Sequence, residues 1–260
     1  MRDSATRAGS ASPVLPGQLC FPVRNSPVSP YPALSQAVIL AAGRGERLRP
    51  LTDHTPKPLI EVGGKPLLDH HLAALVAAGF SRCVVNVAHL GAQIEAHLAD
   101  QRRFAIEIVL SREPPGALET GGGLKQALGL LEPGPFLVLN GDILCDFDLR
   151  SLGGRPHGLA HLVLVPNPPA NPGGDFCLHG EAVSNAPAPR LTFSGIGVYQ
   201  PALFDDAPAE ARFPLTPLLR RAADQGQVSG EAHHGRWFDI GTPERLAVAR
   251  AATKSGNPEH

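Results

Sequence analysis

Short apolar runs alternate with segments of helical periodicity along most of the chain, which limits the folds it can adopt. The runs occupy residues 37–42, 83–87, 106–110, 136–139 and 162–165. They are aliphatic and mostly bounded by Gly, Pro or Asn, as expected of strands buried on both faces. Helical patterns cover residues 66–78 and 92–98, and a third helix is expected to begin at Gly121 and to carry Leu124, Leu128 and Leu131. The alternation predicts an α/β fold with a mixed, mostly parallel sheet flanked by helices.

The two ends of the chain differ from this pattern. Residues 1–36 are dominated by Ser, Pro, Arg and Gly and show no helical or strand period, which predicts a disordered N-terminal extension. One domain is expected over residues 37–252, followed by a disordered tail over residues 253–260. Met1 is the only methionine. Translation from a non-ATG codon near Leu34 is therefore a hypothesis, which the mass of the natural N-terminal peptide would test.

Charge and cysteine content exclude several classes of partner. The chain has 23 Lys and Arg against 24 Asp and Glu, a formal net charge of -1. Neither nucleic acid nor an anionic membrane is therefore expected to attract it as a whole. It contains no apolar run of about 18 residues, so no membrane span is expected. Its four cysteines, Cys20, Cys83, Cys145 and Cys177, form no Cys-x-x-Cys pair, which predicts a cytoplasmic location and neither a disulfide framework nor a zinc site.

A glycine-rich turn follows the first predicted strand. Residues 40–50 read Leu-Ala-Ala-Gly-Arg-Gly-Glu-Arg-Leu-Arg-Pro, and residues 55–59 read Thr-Pro-Lys-Pro-Leu. Small residues let the backbone approach a ligand, and successive N–H groups in such a turn can hold an anion. Arg47, Arg49 and Lys57 would add positive charge, whereas a plain turn with solvated cations is the alternative. A dinucleotide-binding fingerprint is disfavoured because Leu48 stands at the place of its third glycine.

A second motif leads into the third predicted helix. Glu113 is followed by two prolines and, after Leu118, by Glu-Thr-Gly-Gly-Gly over residues 119–123. Glycines at a helix N-terminus leave N–H groups unpaired at the positive end of the helix dipole, where a base edge or a phosphate can bind. An ordinary helix start is the alternative, although three consecutive glycines are poor helix formers.

Two predicted strands end in aspartate. Asp142 closes the Asn-Gly-Asp sequence of residues 140–142, and Asp239 precedes a helix with Thr242 as its cap and Pro243 as its first residue. A carboxylate at a strand tip suits Mg²⁺, which binds one or two carboxylates together with phosphate oxygens and water. Each aspartate alone could also be an ordinary turn residue. No metal-ligand spacing is evident among the eleven histidines or at Asp146 and Asp148.

In this order, the four motifs resemble those of the sugar-1-phosphate nucleotidyltransferase family over residues 37–252. The most specific part is the signature Leu-Ala-Ala-Gly-x-Gly-x-Arg-Leu-x-Pro-Leu-Thr-x-x-x-Pro-Lys-Pro-Leu of residues 40–59. The resemblance implies a single Rossmann-like nucleotidyltransferase domain. It also implies an enzyme that transfers a nucleoside monophosphate from a nucleoside triphosphate to a sugar 1-phosphate, with Mg²⁺ as cofactor.

The resemblance also assigns roles by position. Nucleoside contacts fall on Ala41, Ala42 and Gly43, triphosphate contacts on Gly45, Glu46 and Arg47, and the α-phosphate contact on Lys57. The base would lie near Glu113, Gly121 and Gly122, and Asn140 would line both the nucleotide and the sugar site. Asp142 and Asp239 would bind Mg²⁺, and the catalytic residues would be Arg47, Lys57 and Asp142. The sugar would lie near Gly174, Asp175, Thr192 and Ser194. Residues 188–190, Ala-Pro-Arg, lack the Glu and Lys of an element that many members carry there.

The choice of substrates stays open at the level of the sequence. Within the family, the short chain and residues 118–123, 174–176 and 191–195 are most similar to the branch that transfers UMP from UTP to N-acetylmuramate 1-phosphate for peptidoglycan recycling. Transfer of GMP to mannose 1-phosphate or of dTMP to glucose 1-phosphate is an alternative. A non-catalytic regulatory relative that binds nucleotide sugar is another, which the presence of Arg47, Lys57, Asp142 and Asp239 disfavours. No oligomeric state follows from the sequence.

Overall fold

The computed structural model describes residues 34–100, 103–114, 116, 118–154, 158–187, 189–208 and 212–254. Residues 1–33 of the predicted extension and residues 255–260 of the predicted tail lie outside the described residues. Leu34 is buried and Gln36 begins the first strand, so both belong to the fold. At the other end, the Thr253 hydroxyl donates to the Ala249 carbonyl within the last helix, at 3.2 Å. The folded part therefore extends beyond residues 37–252 at both ends.

The described part of the chain contains thirteen strands and five α-helices. The strands are β1 Gln36–Leu40, β2 Glu61–Val62, β3 Lys65–Pro66, β4 Arg82–Val87, β5 Glu107–Arg112, β6 Phe136–Asn140, β7 Ile143–Cys145, β8 Ala160–Val165, β9 Cys177–His179, β10 Ala182–Ser184, β11 Thr192–Tyr199, β12 Val228–Ala232 and β13 Trp237–Asp239. The helices are α1 Leu67–Ala77, α2 Gly91–Leu98, α3 Glu119–Ala127, α4 Thr216–Asp224 and α5 Pro243–Lys254.

Nine strands form one central sheet in the order β5-β4-β1-β6-β11-β8-β12-β10-β9. Strands β5, β4, β1 and β6 pair in parallel, whereas β11 runs antiparallel to both β6 and β8. Strand β12 is parallel to β8, and β10 is antiparallel to both β12 and β9. Of these nine strands, β11 and β10 therefore run against the other seven. This confirms the predicted mixed, mostly parallel sheet.

The six predicted strands are confirmed as β1, β4, β5, β6, β8 and β13, and the four predicted helices as α1, α2, α3 and α5. Helix α3 begins at Glu119, before the predicted start, and ends at Ala127. A 3-10 turn over Leu128–Leu130 follows, so Leu131 lies outside the helix. The short strands β2, β3, β7, β9 and β10 were not predicted, because two or three residues are too few to show a strand period.

The central sheet is buried on both faces, as its apolar strands predict. In β1, Ala37 and Ile39 pack in the core that contains residues of α1 and α2, whereas Val38 packs in the core that contains residues of α3 and α4. Successive side chains of a strand point to opposite faces, so a fully apolar strand needs cover on both. This arrangement holds β1 in the interior and brings the carboxyl ends of β1, β4 and β6 to one edge of the sheet.

A two-stranded ribbon of β7 and β13 continues from the carboxyl end of β6. The ribbon is antiparallel, with Asp239 opposite Ile143 and Trp237 opposite Cys145. After β13 the chain enters α5, which packs through Leu246 onto a separate apolar cluster. The ribbon therefore brings Asp239 to the end of β6, where Asp142 lies.

Among the described residues, no helix combines the length and the apolar character that crossing a lipid bilayer requires. Cys83, Cys145 and Cys177 are free thiols. Cys83 and Cys177 are buried, and Cys145 is partly buried.

Candidate active site

A cavity of about 240 Å³ opens at the carboxyl ends of β1 and β6. Its wall contains eight of the predicted site residues: Ala41, Ala42, Gly43, Gly45, Lys57, Glu113, Asn140 and Asp142. The wall also contains Leu40, Pro58, Asn86, Glu119, Thr120 and Gly141, to which the sequence analysis assigned no contact. Ligands of open α/β sheets bind beyond the carboxyl ends of the strands. The cavity therefore lies where this fold class places a ligand.

The other predicted site residues do not line this cavity. They are Glu46, Arg47, Gly121, Gly122, Gly174, Asp175, Thr192, Ser194 and Asp239. Their roles toward a ligand stay predictions.

Hydrogen bonds to the Gly45 carbonyl fix the glycine-rich turn after β1. The Gly45 carbonyl accepts from the Leu48 N–H and from the Thr52 hydroxyl, both at 2.8 Å. No atom lies within 4 Å of the point where a Cβ on Gly43 would stand. The turn is thus fixed at Gly45 and open to the cavity at Gly43.

Lys57 and Asp142 form the charged centre of the cavity. Lys57 Nζ donates to Asp142 Oδ2 at 2.5 Å, and the Lys57 side chain is only 11% exposed. Pro56 and Pro58 flank the lysine at the start of a 3-10 helix over Lys57–Leu59, which restricts its backbone. The strand-end aspartate and the proline-flanked lysine are therefore in direct contact, and their roles toward substrates and Mg²⁺ stay predictions.

The backbones of Asp142 and Asp239 lie side by side. The Ile240 N–H donates to the Asp142 carbonyl at 2.8 Å, next to the β7 and β13 pairing. Arg245 Nη1 donates to Asp239 Oδ2 at 2.6 Å. One oxygen of the Asp239 carboxylate is therefore engaged from α5.

The other oxygen, Asp239 Oδ1, is buried and has no hydrogen-bond partner among the described residues. Gly241 adjoins both this oxygen and the Arg47 guanidinium, which lie 2.8 and 3.1 Å from the point where a Cβ would stand. Buried carboxylate oxygens without a donor are uncommon and require an explanation. A cation bound at Oδ1 would provide one.

Asn86 connects two parts of the cavity wall that the sequence analysis treated separately. Its Oδ1 accepts from the Ala41 N–H at 2.5 Å, and its Nδ2 donates to Glu113 Oε1 at 2.6 Å. Glu113 Oε2 accepts from the Leu118 N–H at 2.7 Å. Both Glu113 oxygens are thus engaged within the protein. The sequence signal for this role is that Asn86 is a polar residue inside the apolar run of residues 83–87, since a buried asparagine needs partners.

Asn86→Asp is expected to destabilise the fold by about 3 kcal/mol, because it sets a carboxylate against that of Glu113 and removes the amide donor. The double variant Asn86→Asp/Glu113→Gln exchanges donor and acceptor, so it should recover most of this loss. Urea unfolding of the wild type, the two single variants and the double variant measures the coupling. Equal losses in Asn86→Asp and in the double variant would contradict the contact.

The N-terminus of α3 packs against Phe213. The N–H groups of Gly121 and Gly122 both donate to the Phe213 carbonyl, at 3.0 and 3.1 Å. A Cβ on Gly121 would lie 2.4 Å from the Phe213 ring, so the ring can approach only because this residue is glycine. The prediction that these two N–H groups are unpaired is therefore wrong, since a residue far along the chain satisfies them. Their place near the base stays a prediction.

The predicted sugar-binding residues gather where β8 and β11 lose their regular pairing, between Phe193 and Ile196. Each polar side chain of the group has a partner in the protein. Ser194 Oγ donates to the Val163 carbonyl at 2.7 Å, Thr192 Oγ1 donates to Asn167 Oδ1 at 2.9 Å, and Asp175 Oδ2 accepts from the Phe193 N–H at 2.8 Å. These bonds hold the irregular strand end in place, and contact with a sugar stays a prediction.

This strand end lies against the cavity through Asn140. Asn140 Nδ2 is 2.7 Å from the point where a Cβ on Gly195 would stand. Trp237 Nε1 donates to the Ser194 carbonyl at 2.9 Å, which joins β11 to the ribbon. Gly174 packs against Arg190 and against Asn167, which also accepts from Thr192 Oγ1. Asn140 thus stands between the cavity and the residues predicted to bind the sugar.

His71 supports the segment that carries Asp142. It lies on α1, is buried, and forms a hydrogen bond with the Gly141 backbone, while its Nε2 has no partner among the described residues. Burial, together with the nearby His70, lowers the pKa of His71 from 6.5 to about 4. The imidazole is therefore neutral at physiological pH.

We expect His71 to make the fold less stable as the pH falls from about 6.5 to about 4. In this window the unfolded chain binds the imidazole proton and the folded protein does not, which favours unfolding by up to about 3 kcal/mol. The unfolding free energy of His71→Leu should therefore depend less steeply on pH. His54→Leu, at an exposed position, should keep the wild-type slope. Equal slopes in all three proteins would contradict the shift.

Comparisons with known proteins point to one family. Residues 36–155 match the model of the nucleotidyl transferase family. The chain is 50% identical over 225 residues to N-acetylmuramate alpha-1-phosphate uridylyltransferase from Neisseria meningitidis serogroup B, a match that covers 83% of this chain and 97% of that protein. It is 37% identical over 232 residues to the protein of the same name from Caulobacter vibrioides, covering 83% of this chain and 95% of that protein.

Solved structures agree with the fold. The inositol-1-phosphate CTP transferase from T. maritima superposes with a TM-score of 0.71 at 18% identity, covering 88% of this chain and all of that chain. At this identity, the similarity supports the fold alone. Together with the relatives that match along nearly their whole length, it shows that the chain belongs to the nucleotidyl transferase family.

Proposed function

We propose that the protein transfers UMP from UTP to N-acetylmuramate 1-phosphate, forming a nucleotide sugar and pyrophosphate for peptidoglycan recycling in the cytoplasm. The observation that carries the reaction type is the charged centre of the cavity, where Lys57 pairs with Asp142 beside Asp239. The choice of substrates rests on the two relatives named for that activity, one of them identical at half of the aligned positions.

The proposed reaction needs no general base. The attacking oxygen belongs to the sugar phosphate and is anionic at neutral pH, so no proton has to be removed from it. It attacks the α-phosphorus in line, the bond from that phosphorus to the bridging oxygen breaks, and pyrophosphate leaves with the bridging oxygen. The main obstacle is repulsion between the two anions. Positive charge fixed in the cavity lowers that repulsion most in the transition state.

Lys57 and Arg47 would supply this charge from the chain itself. Lys57, whose backbone the adjacent prolines restrict, would contact the α-phosphate as a compact point charge. Arg47 would contact the triphosphate together with Gly45 and Glu46. The small residues Ala41, Ala42 and Gly43 leave this wall of the cavity open to the nucleoside.

Asp142 and Asp239 are the residues that would hold Mg²⁺. The two carboxylates follow adjoining backbone segments, and the buried Asp239 Oδ1 has no donor among the described residues. An oxygen donor set of this kind fits Mg²⁺. When bound, Mg²⁺ supplies positive charge to the phosphate oxygens. Arg245, bonded to Asp239 Oδ2, holds the carboxylate with its free oxygen available.

Base and sugar would lie on opposite sides of Asn140. We place the base near Glu113, Gly121 and Gly122. We place the sugar near Gly174, Asp175, Thr192 and Ser194, because Asn140 adjoins Gly195 of this group's strand. Several of these polar groups already have partners in the protein, so they would act mainly by shaping the two subsites.

Pyrophosphate release tests the proposal directly. The full chain is incubated with Mg²⁺ and each combination of UTP, GTP, CTP or dTTP with N-acetylmuramate, glucose or mannose 1-phosphate. We expect UTP with N-acetylmuramate 1-phosphate to give the highest kcat/KM. Preference for GTP with mannose 1-phosphate, or for dTTP with glucose 1-phosphate, would overturn the proposed substrates but keep the reaction type. Binding of nucleotide sugar without release from any pair would overturn the reaction type as well.

A further inference from the structure

Three side chains of different ligand type meet at the end of the ribbon that points away from Asp142 and Asp239. Cys145 is the last residue of β7, Asp146 follows it, and His233 comes directly after β12. A thiol sulfur, a carboxylate oxygen and an imidazole nitrogen of these residues all lie within 4.8 Å of one another. None of the three has a part in the proposed transfer reaction.

The protein holds this group of side chains in place through its own contacts. The His233 N–H donates to the Leu164 carbonyl at 2.7 Å, and its ring meets the Phe147 ring edge-on at 5.4 Å between centroids. The Asp146 N–H donates to the Arg236 carbonyl at 3.1 Å. His233 Nε2 and Asp146 Oδ1 are 2.9 Å apart, with side chains 14% and 24% exposed. These contacts fix the positions of the three side chains. Their partial exposure leaves a path by which an ion can reach them from solvent.

We propose that Cys145, Asp146 and His233 form a binding site for a thiophilic divalent cation of the zinc class. Zn²⁺ binds thiolate, imidazole and carboxylate, and three protein ligands leave a fourth position for water. Mg²⁺ requires oxygen ligands, so it would not compete here, whereas the oxygens of Asp142 and Asp239 suit it. On binding, the Cys145 S–H bond breaks, its electron pair binds the cation, and the proton leaves to solvent.

A bound cation would replace two existing contacts of Asp146, which are the hydrogen bond between His233 Nε2 and Oδ1 and the ion pair with Arg236. Arg236 donates to Asp146 Oδ1 through its backbone N–H at 2.8 Å and approaches Oδ2 through Nε at 3.3 Å. The second contact is long, and the Arg236 side chain is 52% exposed. Its guanidinium can therefore turn to water when Asp146 binds the ion. An exposed ion pair of this kind contributes little to stability.

Occupation of this site should lower the rate of the proposed transfer. Arg236 precedes Trp237 in the ribbon, and the ribbon also carries Asp239 opposite Ile143, next to Asp142. Asp146 Oδ1 accepts from the Arg236 backbone N–H, so movement of Asp146 onto the cation would shift this end of the ribbon and with it the carboxylates at the other end. This effect on turnover rests on the proposed function, whereas binding of the cation does not.

Cobalt absorption tests the site without any enzyme assay. Untagged full-length protein is titrated with Co²⁺ in the presence of excess Mg²⁺, and the thiolate-to-cobalt charge-transfer band is recorded. We expect one equivalent to bind and Zn²⁺ to displace it. The band should be absent in Cys145→Ser. In His233→Gln the affinity for Co²⁺ should fall at least about tenfold, since loss of a ligand costs more than loss of an outer partner. Cys20→Ser, which removes a different thiol, should keep it.

Absence of the band in the wild type would overturn the site, as would a full band in both Cys145→Ser and His233→Gln. Melting temperatures of all variants identify any that fail to fold. If one of the two ligand variants does not fold, cobalt binding by the other one tests the site. A second arm measures Zn²⁺ inhibition of pyrophosphate release at saturating Mg²⁺. Inhibition of the wild type but not of Cys145→Ser supports the coupling, and equal inhibition overturns it. A wild type without transferase activity would count only against the proposed function.

Discussion

Asp142→Asn is expected to lower kcat by about 10²- to 10³-fold while the fold stays intact. The amide carries no negative charge for Mg²⁺ and cannot form an ion pair with Lys57, whose Nζ lies 2.5 Å from Asp142 Oδ2. Because the charge is needed where the two phosphates meet, the loss should appear in kcat and not only in KM. The apparent affinity for Mg²⁺ should fall in the same variant.

Asp148→Asn is the matched control for this substitution. The Asp142 and Asp148 side chains are 33% and 34% exposed, and each carboxylate pairs with one cation, Lys57 or Arg150. Asp148 lies outside the cavity wall, so its amide variant should retain wild-type turnover. Steady-state kinetics, thermal melting and Mn²⁺ binding followed by electron paramagnetic resonance compare the three proteins. Near-normal kcat and Mn²⁺ affinity in Asp142→Asn would remove Asp142 from the metal site.

The parts of the fold that the sequence predicts are those with a local cause. Strand β1 is apolar on both faces because helices cover both faces of the sheet, and that pattern is visible in the apolar run of residues 37–42. The insertion of β11 between β6 and β8 has no comparable local signal. It depends on pairing between segments far apart in the chain, in a direction that apolar content does not encode.

The same distinction explains what could be predicted of the site. The glycine-rich turn that leads to Lys57 could be placed near Asp142, because the turn and Asp142 follow the carboxyl ends of the parallel strands β1 and β6. The hydrogen-bond acceptor at the start of α3 could not be predicted, because the Phe213 carbonyl comes from a loop with no motif of its own. Asn86 was missed because a single polar residue hardly disturbs an apolar run. Yet its amide joins Ala41 to Glu113.

Gly141→Ala is expected to reduce both stability and turnover, because Gly141 packs directly on the backbone of β1. Its N–H donates to the Leu40 carbonyl at 2.9 Å, and an added Cβ would stand 2.5 Å from that same oxygen. The Leu40 backbone cannot easily move away from Gly141, since β1 is paired with β4 and β6 on its two sides. We expect a loss of about 1–3 kcal/mol in the free energy of unfolding.

The loss of turnover in Gly141→Ala should exceed what the lost stability explains. Relief of the clash has to displace the segment between Asn140 and Asp142, and a shift of about 1 Å in a reacting group can cost about 100-fold in rate. Gly129→Ala is the control, because no atom lies within 4 Å of its added Cβ; its unfolding free energy should change by less than about 0.5 kcal/mol. Urea unfolding and kcat are measured for both variants under conditions where each is fully folded. If the two variants behave alike, the segment that carries Asp142 is not held against β1, and its carboxylate would lack the fixed position that the proposed reaction requires.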